Sequence, residues 1–429
     1  MTGVKTLFFA YFSLVGAMSP YLGLYFAAWG LSITQISLLL AMPQLMRVVA
    51  PPFWGAWADR AADRANLLKV SAGGALLAIS LIAWAQGAYG WLLVLVSLLY
   101  FFNAAQGPIA ESMALAAAGG DAGHYGRMRQ WGSIGFIAAV SATGPLLDWL
   151  GARWLTAPMG ALALLVLLVS WRVARGSRSR AAAASGAAAS GAAGVDPAGV
   201  DSVGVDSAGV DPAVPEPHAE VPVPRRQPSV WRRLREPRIA LFFVSCGLMM
   251  FAHAALYAFF SLYLDRHGYA KTWIGAIWSL GVVAEIALFR WQRGLFERFG
   301  ALPLLSFSMG CAALRFALIG WGEGQWGIVL VSQLLHAITF GVHHSAAMAL
   351  LHRWFEPAEQ GRAQALFATL GYGVGGSIGG LAAGWWWDHV GPAWAFYSAS
   401  LAAALGWLAV AACRRFEYAA AAPESRLVS

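Results

Sequence analysis

At 429 residues, with 59% hydrophobic and only 12% charged side chains and a mean hydropathy of +0.59, the chain is too apolar for one or two water-soluble domains and belongs in a bilayer. Its formal charge of +8 does not point to nucleic acid, because the basic residues lie in short loops between apolar runs. The 3 cysteines, Cys246, Cys311 and Cys413, sit in or beside apolar segments with neither a disulfide frame nor metal-ligand spacing, so neither metal nor cofactor is expected.

Apolar runs of about 20 residues, enough to cross a bilayer, occur at 6–28, 34–55, 67–86, 91–114, 129–149 and 154–172, then at 238–262, 272–291, 302–320, 326–350, 362–384 and 392–413. An all-α polytopic protein of twelve transmembrane helices is predicted. The first run shows no small-residue cleavage signal and reads as a retained helix. Many of the 21 tryptophans fall near run ends, as in an interfacial belt.

Between the two sets of six, residues 173–236 change character. After Arg172, Arg175, Arg178 and Arg180 come an Ala/Ser/Gly tract, a five-residue GVDxx repeat starting at Gly194, and a Pro-rich stretch. Such composition cannot bury a core and predicts a disordered linker. The division expected is a first half over 1–172, the linker over 173–236, a second half over 237–415 and a tail over 416–429. Arg60, Arg64, Lys69, Arg127, Arg129, Arg293, Arg298, Arg353, Arg362, Arg414 and Arg415 all fall on one side, whereas only Arg153, Arg266 and Lys271 fall on the other. That asymmetry places the termini and the linker in the cytoplasm.

The halves repeat each other. GSIG from Gly132 precedes Asp148, Gly151 and Trp154, and GSIG from Gly376 precedes Asp388, Gly391 and Trp394, with one D-x-x-G-x-x-W spacing in both. A second echo is GAWADR from Gly55 against GLFERFG from Gly294. Two parallel six-helix halves related by an axis along the membrane normal follow.

Ionisable residues at membrane depth mark function by default. Arg47, one turn after Pro43 in the second run, stays charged and needs a carboxylate or an anionic ligand. Glu111, with Asn103 and Gly107 at successive turns of its face, is its natural partner. In the seventh run His253, Tyr257 and Ser261 are spaced i, i+4, i+8. In the eighth, Trp278, Gly281 and Glu285 share a face, and a carboxyl in that low-dielectric setting is the candidate proton carrier; the alternative is a permanent ion pair with Arg315 or Arg47. In the tenth, His336 and His343 lie seven apart and nearly eclipsed, with His344 beside them; cavity-lining hydrogen bonds fit them better than a metal site, which no nearby carboxylate or cysteine completes. Tyr11, Tyr21 and Tyr25 line the same cavity or serve as packing aromatics. The glycines from Gly371 to Gly384 give the eleventh helix a small-residue face for close packing.

G-x-x-x-D-R-x-x-D-R, from Gly55 to Arg64, resembles the signature loop of the major facilitator superfamily, with a weaker second copy over Gly294–Gly300. YGRMRQWGSIGF (Tyr125–Phe136), the His253/Tyr257/Ser261/Tyr263 segment, WSLGVVAEI (Trp278–Ile286) and HAITFGVHHSAAM (His336–Met348) are similar to the phenylpropionate permease group over nearly the whole chain except the linker. The linker is longer than that group implies, and Asp63 stands where the superfamily usually has glycine or a basic residue. The resemblance implies a monomeric symporter of the cytoplasmic (inner) membrane, importing an organic anion such as 3-phenylpropionate with protons. It implies Glu285, ahead of Glu111, His253 and His336, for proton coupling, and Arg47, Tyr257, Trp278, His343 and Asn103 for substrate. It implies a gating latch of Gly55, Asp59, Arg60, Arg64, Glu297 and Arg298, and it places the ninth helix outside the cavity, which makes Arg315 a structural ion-pair candidate. Proton symport of a sugar or nucleoside, or drug export by antiport, stays open. A membrane sensor or enzyme is the remaining alternative, but the linker cannot build an output domain and neither GxSxG nor HExxH occurs.

Overall fold

The computed structural model describes residues 2–60, 64–119, 121–192 and 230–425. Among the described residues, twelve helices are long and apolar enough to cross a membrane. They are α1 (Gly3–Ala28), α2 (Ile33–Arg60), α3 (Asn66–Ala85), α4 (Tyr89–Ala118), α5 (Gly123–Leu150) and α6 (Ala152–Arg175) in the first half. The second half holds α7 (Pro237–Arg266), α8 (Lys271–Phe299), α9 (Ala301–Trp321), α10 (Trp326–Trp354), α11 (Pro357–His389) and α12 (Pro392–Glu417).

Each expected span is present, and several helices overrun it, because a helix need not stop where the hydrocarbon does. The overruns fall mostly at the end carrying Arg60, Phe299 and Trp354, called here the linker end. The helix begun in α6 continues to Ala192, past the expected linker start at 173, since alanine is the strongest helix former. Alanines likewise carry α12's helix to Ser425, past 416. The GVDxx repeat lies outside the described residues. A single helical turn, Val230–Arg233, leads into α7.

Helix packing restates the sequence repeat. In the first half α1 packs on α5 and α6, α3 on α4 and α6, and α2 on α4; in the second half α7 packs on α11 and α12, α9 on α10 and α12, and α8 on α10. Each of these pairs thus has its counterpart six helices on. Across the halves α5 meets α8, α2 meets α11, and the end of α1 meets α7.

Those crossings close the molecule at the end opposite the linker. There Asp148 of α5 accepts the backbone N–H of Lys271 (2.8 Å) and of Thr272 (2.8 Å) and the Thr272 hydroxyl (2.6 Å), capping the N-terminus of α8 from the other half. Asp388 of α11 accepts the Thr34 hydroxyl at the start of α2, 2.7 Å. The two repeated aspartates are therefore reciprocal clamps. Tyr21 donates to the Val140 carbonyl, 2.9 Å, and Tyr25 to that of Ile82, 3.2 Å, so both are packing residues rather than cavity lining. Ser141 and Ser279 meet at 3.2 Å. Toward the linker end the halves separate: the deepest ring and charge contact between α2 and α11 is Arg47 with Tyr372, and beyond it Phe53 and Trp57 are exposed. The result is a central cavity open at the linker end.

Candidate functional site

The cavity wall of the first half begins on α2. Arg47 is open to solvent, and its guanidinium lies over the Tyr372 ring of α11, 5.0 Å from the centroid. The expected Arg47–Glu111 bridge is not formed. Glu111 accepts instead from Arg129 of α5, 2.8 Å, because Glu111 stands nearly two turns closer to the linker end than Arg47, roughly 9 Å along the axis, and α5 brings Arg129 to that depth. Asn103, two turns deeper than Glu111, is buried, and its Oδ1 has no partner among the described residues. The next turn, Gly107, packs against the Tyr11 hydroxyl, which places Tyr11 on the same wall.

In the second half, Trp278 donates its indole N–H to Ser261, 3.0 Å, and stacks on Tyr257 with ring centroids 6.1 Å apart at 22°. The i, i+4, i+8 row of α7 and the shared face of α8 thus form one aromatic platform. One turn past Gly281, Glu285 is half-buried and makes no ion pair among the described residues, so the permanent bridge to Arg315 or Arg47 is not present.

On α10 the structure corrects a register. Residues 337–342 form a π-helical turn, which advances less per residue than an α-helix. His336, Phe340 and His344 therefore fall in line, their rings stacked at 5.5 Å and 7°, then 6.3 Å and 13°. His343, expected to share the His336 face and touch substrate, turns instead toward α9, where its Nδ1 lies 3.4 Å from the Ser308 hydroxyl. A seven-residue spacing eclipses two side chains only in an uninterrupted α-helix.

His336 and His253 hold defined tautomers. Arg315 of α9 is fully buried and donates to His336 Nδ1, 3.1 Å, and to the Thr339 hydroxyl, 3.0 Å. Arginine has no acceptor, so His336 accepts at Nδ1 and carries its hydrogen on Nε2. His253 donates from Nδ1 to the Met249 carbonyl, 3.0 Å, leaving Nε2 as an acceptor 3.5 Å from Thr339. Among the described residues Arg315 has no carboxylate partner, contrary to the ion pair considered for it. Replacing Arg315 with Met should release the His336 tautomer. In nitrogen-15 spectra of histidine-labelled protein the His336 signal, assigned by its loss in His336→Asn, should show the Nε2–H form alone in the wild type and a mixture of tautomers in Arg315→Met; an unchanged His336 signal would dismiss the lock.

The latch residues lie at the linker end. Gly55, Asp59 and Arg60 are exposed on the last turns of α2, Arg64 opens the next helical segment, and residues 61–63 lie outside the described region. Glu297 pairs within its own helix with Arg293, 2.7 Å, and Arg298 lies beside Phe299. Among the described residues, Asp59 and Arg60 make no ion pair with Glu297 or Arg298. Arg129, Tyr372 and Thr339 join the site without having been singled out from sequence. Arg129 stood in the quoted YGRMRQWG stretch, whereas nothing local in the sequence marked the other two.

Two six-helix halves around a cavity open at one end define a membrane transporter of the major facilitator type. The chain belongs to the MFS_1 like family, whose model matches residues 1–398. It is 26% identical over 391 residues to the probable 3-phenylpropionic acid transporter of Escherichia coli (strain K12), covering 90% of each. It is 24% identical over 395 residues to the maltose permease of Geobacillus stearothermophilus, covering 91% of this chain and 89% of that one. The crystal structure of nucleoside transporter NupG superposes with a TM-score of 0.73 at 17% identity, covering 97% of this chain and 98% of that one.

Proposed function

We propose that the protein is a proton-coupled symporter that imports a small organic anion, with an aromatic carboxylate such as 3-phenylpropionate as the substrate class, across the cytoplasmic (inner) membrane. The observation that carries this reading is Arg47: a cavity arginine with no carboxylate partner among the described residues, set beside Tyr372 and near the Tyr257–Trp278 platform. A guanidinium pairs a carboxylate with two parallel hydrogen bonds, and the platform takes an aromatic ring by offset stacking. His336 Nε2–H and the Arg129–Glu111 pair extend the polar side of that site, and Glu285 carries the proton. The name of the Escherichia coli relative agrees with this substrate class. The halves, 1–172 and 237–415, rock as two bodies of a monomer, with the linker, 173–236, and both termini cytoplasmic. The present state is then open inward, and the latch of Asp59, Arg60 and Arg64 with Glu297 and Arg298 engages when the cavity faces outward.

A second reading, symport of a sugar or nucleoside, draws support from amides that lack partners among the described residues, Gln44 Oε1, Asn103 Oδ1 and Gln333 Nε2, and from the printed names of the maltose and nucleoside transporters. Uptake of labelled 3-phenylpropionate into proteoliposomes, beside maltose and a nucleoside, separates the two. On the first reading only the acid accumulates, and Arg47→Gln raises its KM about 10- to 100-fold, the worth of a charge-assisted hydrogen bond. Accumulation of maltose or the nucleoside with no uptake of the acid would replace the first reading by the second.

A further inference from the structure

The linker end of the second half holds a groove that transport does not use. Between α7 and α11 an apolar trough of about 420 Å³ is lined by Leu234, Val244, Gly247, Phe251, Val374 and Ile378, among others. Its floor is where Gly375 meets the Gly247 carbonyl so closely that any side chain on Gly375 would collide with it. Val244, Val374 and Ile378 are 52%, 45% and 54% exposed, so the trough faces outward. From Ala240 to Phe251 it follows α7 for a rise of ~16 Å, matching the ~15 Å hydrocarbon depth of one leaflet.

The mouth of this trough holds paired and unpaired arginines. Arg233 is engaged by Glu359 (3.4 Å) and Glu356 (3.8 Å), and Arg238 by Glu417 (2.9 Å) and Glu236 (3.1 Å). Arg232 and Arg235 are exposed, and among the described residues neither has an ion-pair partner. Trp231 beside them is 68% exposed, an indole placed at the membrane–water boundary. An apolar trough of leaflet depth that ends at two unpaired arginines and an interfacial tryptophan matches one molecule in shape and charge. We propose that it binds an anionic phospholipid, with an acyl chain lying along α7 and α11 and the phosphate received by Arg232 and Arg235. A zwitterionic lipid fills the trough but brings a cationic headgroup toward the arginines, so the site selects by charge.

The test uses the full-length protein in detergent, stripped of lipid and titrated with phosphatidylglycerol or with phosphatidylcholine of the same acyl chains, with adducts read by native mass spectrometry. Phosphatidylglycerol is expected to be retained over phosphatidylcholine. The double change Arg232→Gln, Arg235→Gln should weaken phosphatidylglycerol binding by roughly 30-fold, at about fivefold per arginine. Gly247→Leu should block both lipids, since a Cβ there meets only the Leu370 carbonyl, at 3.6 Å, and the longer side chain fills the trough. Equal retention of the two lipids, or unchanged phosphatidylglycerol binding in the arginine variant, overturns the proposal. A lipid-free dimer that Gly247→Leu converts to monomer also overturns it and assigns the trough to a second copy. Should Gly247→Leu fail to fold, the arginine variant, whose changes are on the surface, decides alone.

Discussion

Glu285→Gln is expected to abolish gradient-driven accumulation while exchange of preloaded substrate continues. Glutamine keeps the size and hydrogen-bonding capacity of the side chain but carries no exchangeable proton, so the conformational cycle survives and its coupling does not. Symport of a monoanion with one proton is electroneutral and responds to the pH difference alone; one pH unit is worth ~1.4 kcal/mol, or about tenfold accumulation. In proteoliposomes acidified outside by one unit, the wild type should approach that ratio and Glu285→Gln should equilibrate near one. Adding an inside-negative potential distinguishes the stoichiometry, because a second proton would contribute a further ~2.3 kcal/mol per 100 mV. Glu111→Gln is the comparison. Glu111 is tied to Arg129 at 2.8 Å, so its loss should alter affinity through the freed arginine and leave accumulation coupled. Normal accumulation by Glu285→Gln would make Glu285 structural and return the coupling role to Glu111 or to a histidine.

The difference between those two glutamates shows where sequence reasoning stops. The architecture was legible because its signals are long and redundant: runs of bilayer length, and an internal repeat that the structure converts into matched packing six helices apart. Glu285 and Arg47 stood out as candidates because a charge in an apolar run is costly and therefore conspicuous. Partner choice was not. Whether Glu111 meets Arg47 or Arg129 depends on the relative depths of three helices, and a shift of two turns reverses the answer. The π-helical turn at 337–342 escaped notice for a related reason: a single wide turn leaves no compositional mark, yet it exchanges His343 for His344 on the stacked face. Arg315 misled in the opposite sense. A buried arginine suggests a carboxylate, and here neutral acceptors, His336 and Thr339, take that place.

The repeated Asp148 and Asp388 were visible as a pattern, and the structure supplies their work, which leads to the second large effect. Each clamps the start of a helix from the other half, so together they stabilise the state that is open at the linker end. Loss of the Asp148 cap costs ~0.5–2 kcal/mol and loss of the Asp388–Thr34 hydrogen bond ~0.5–1.5 kcal/mol, and the two lie on different helix pairs, so their effects should add. A combined ~1–3.5 kcal/mol is enough to turn a strongly populated open state into an even mixture or a minority. Spin labels on Trp57 of α2 and Arg362 of α11, both exposed at the linker end, report the opening as a distance. The wild type should give a single long distance, and Asp148→Ala with Asp388→Ala, which remove the accepting oxygens, should add a shorter one. Gly275→Val should act more severely at the same end, because a side chain there collides with the Tyr21 hydroxyl and lies 2.8 Å from the Val140 carbonyl. That variant cannot close opposite the linker, so it should show only the short distance and carry out no net transport while still binding substrate from the outer side. Clamp variants that retain the long distance alone would mean that helix packing, rather than the aspartates, holds the open state. Only the steric block at Gly275 would then separate the two conformations, and the repeat would record the ancestry of the halves without regulating their motion.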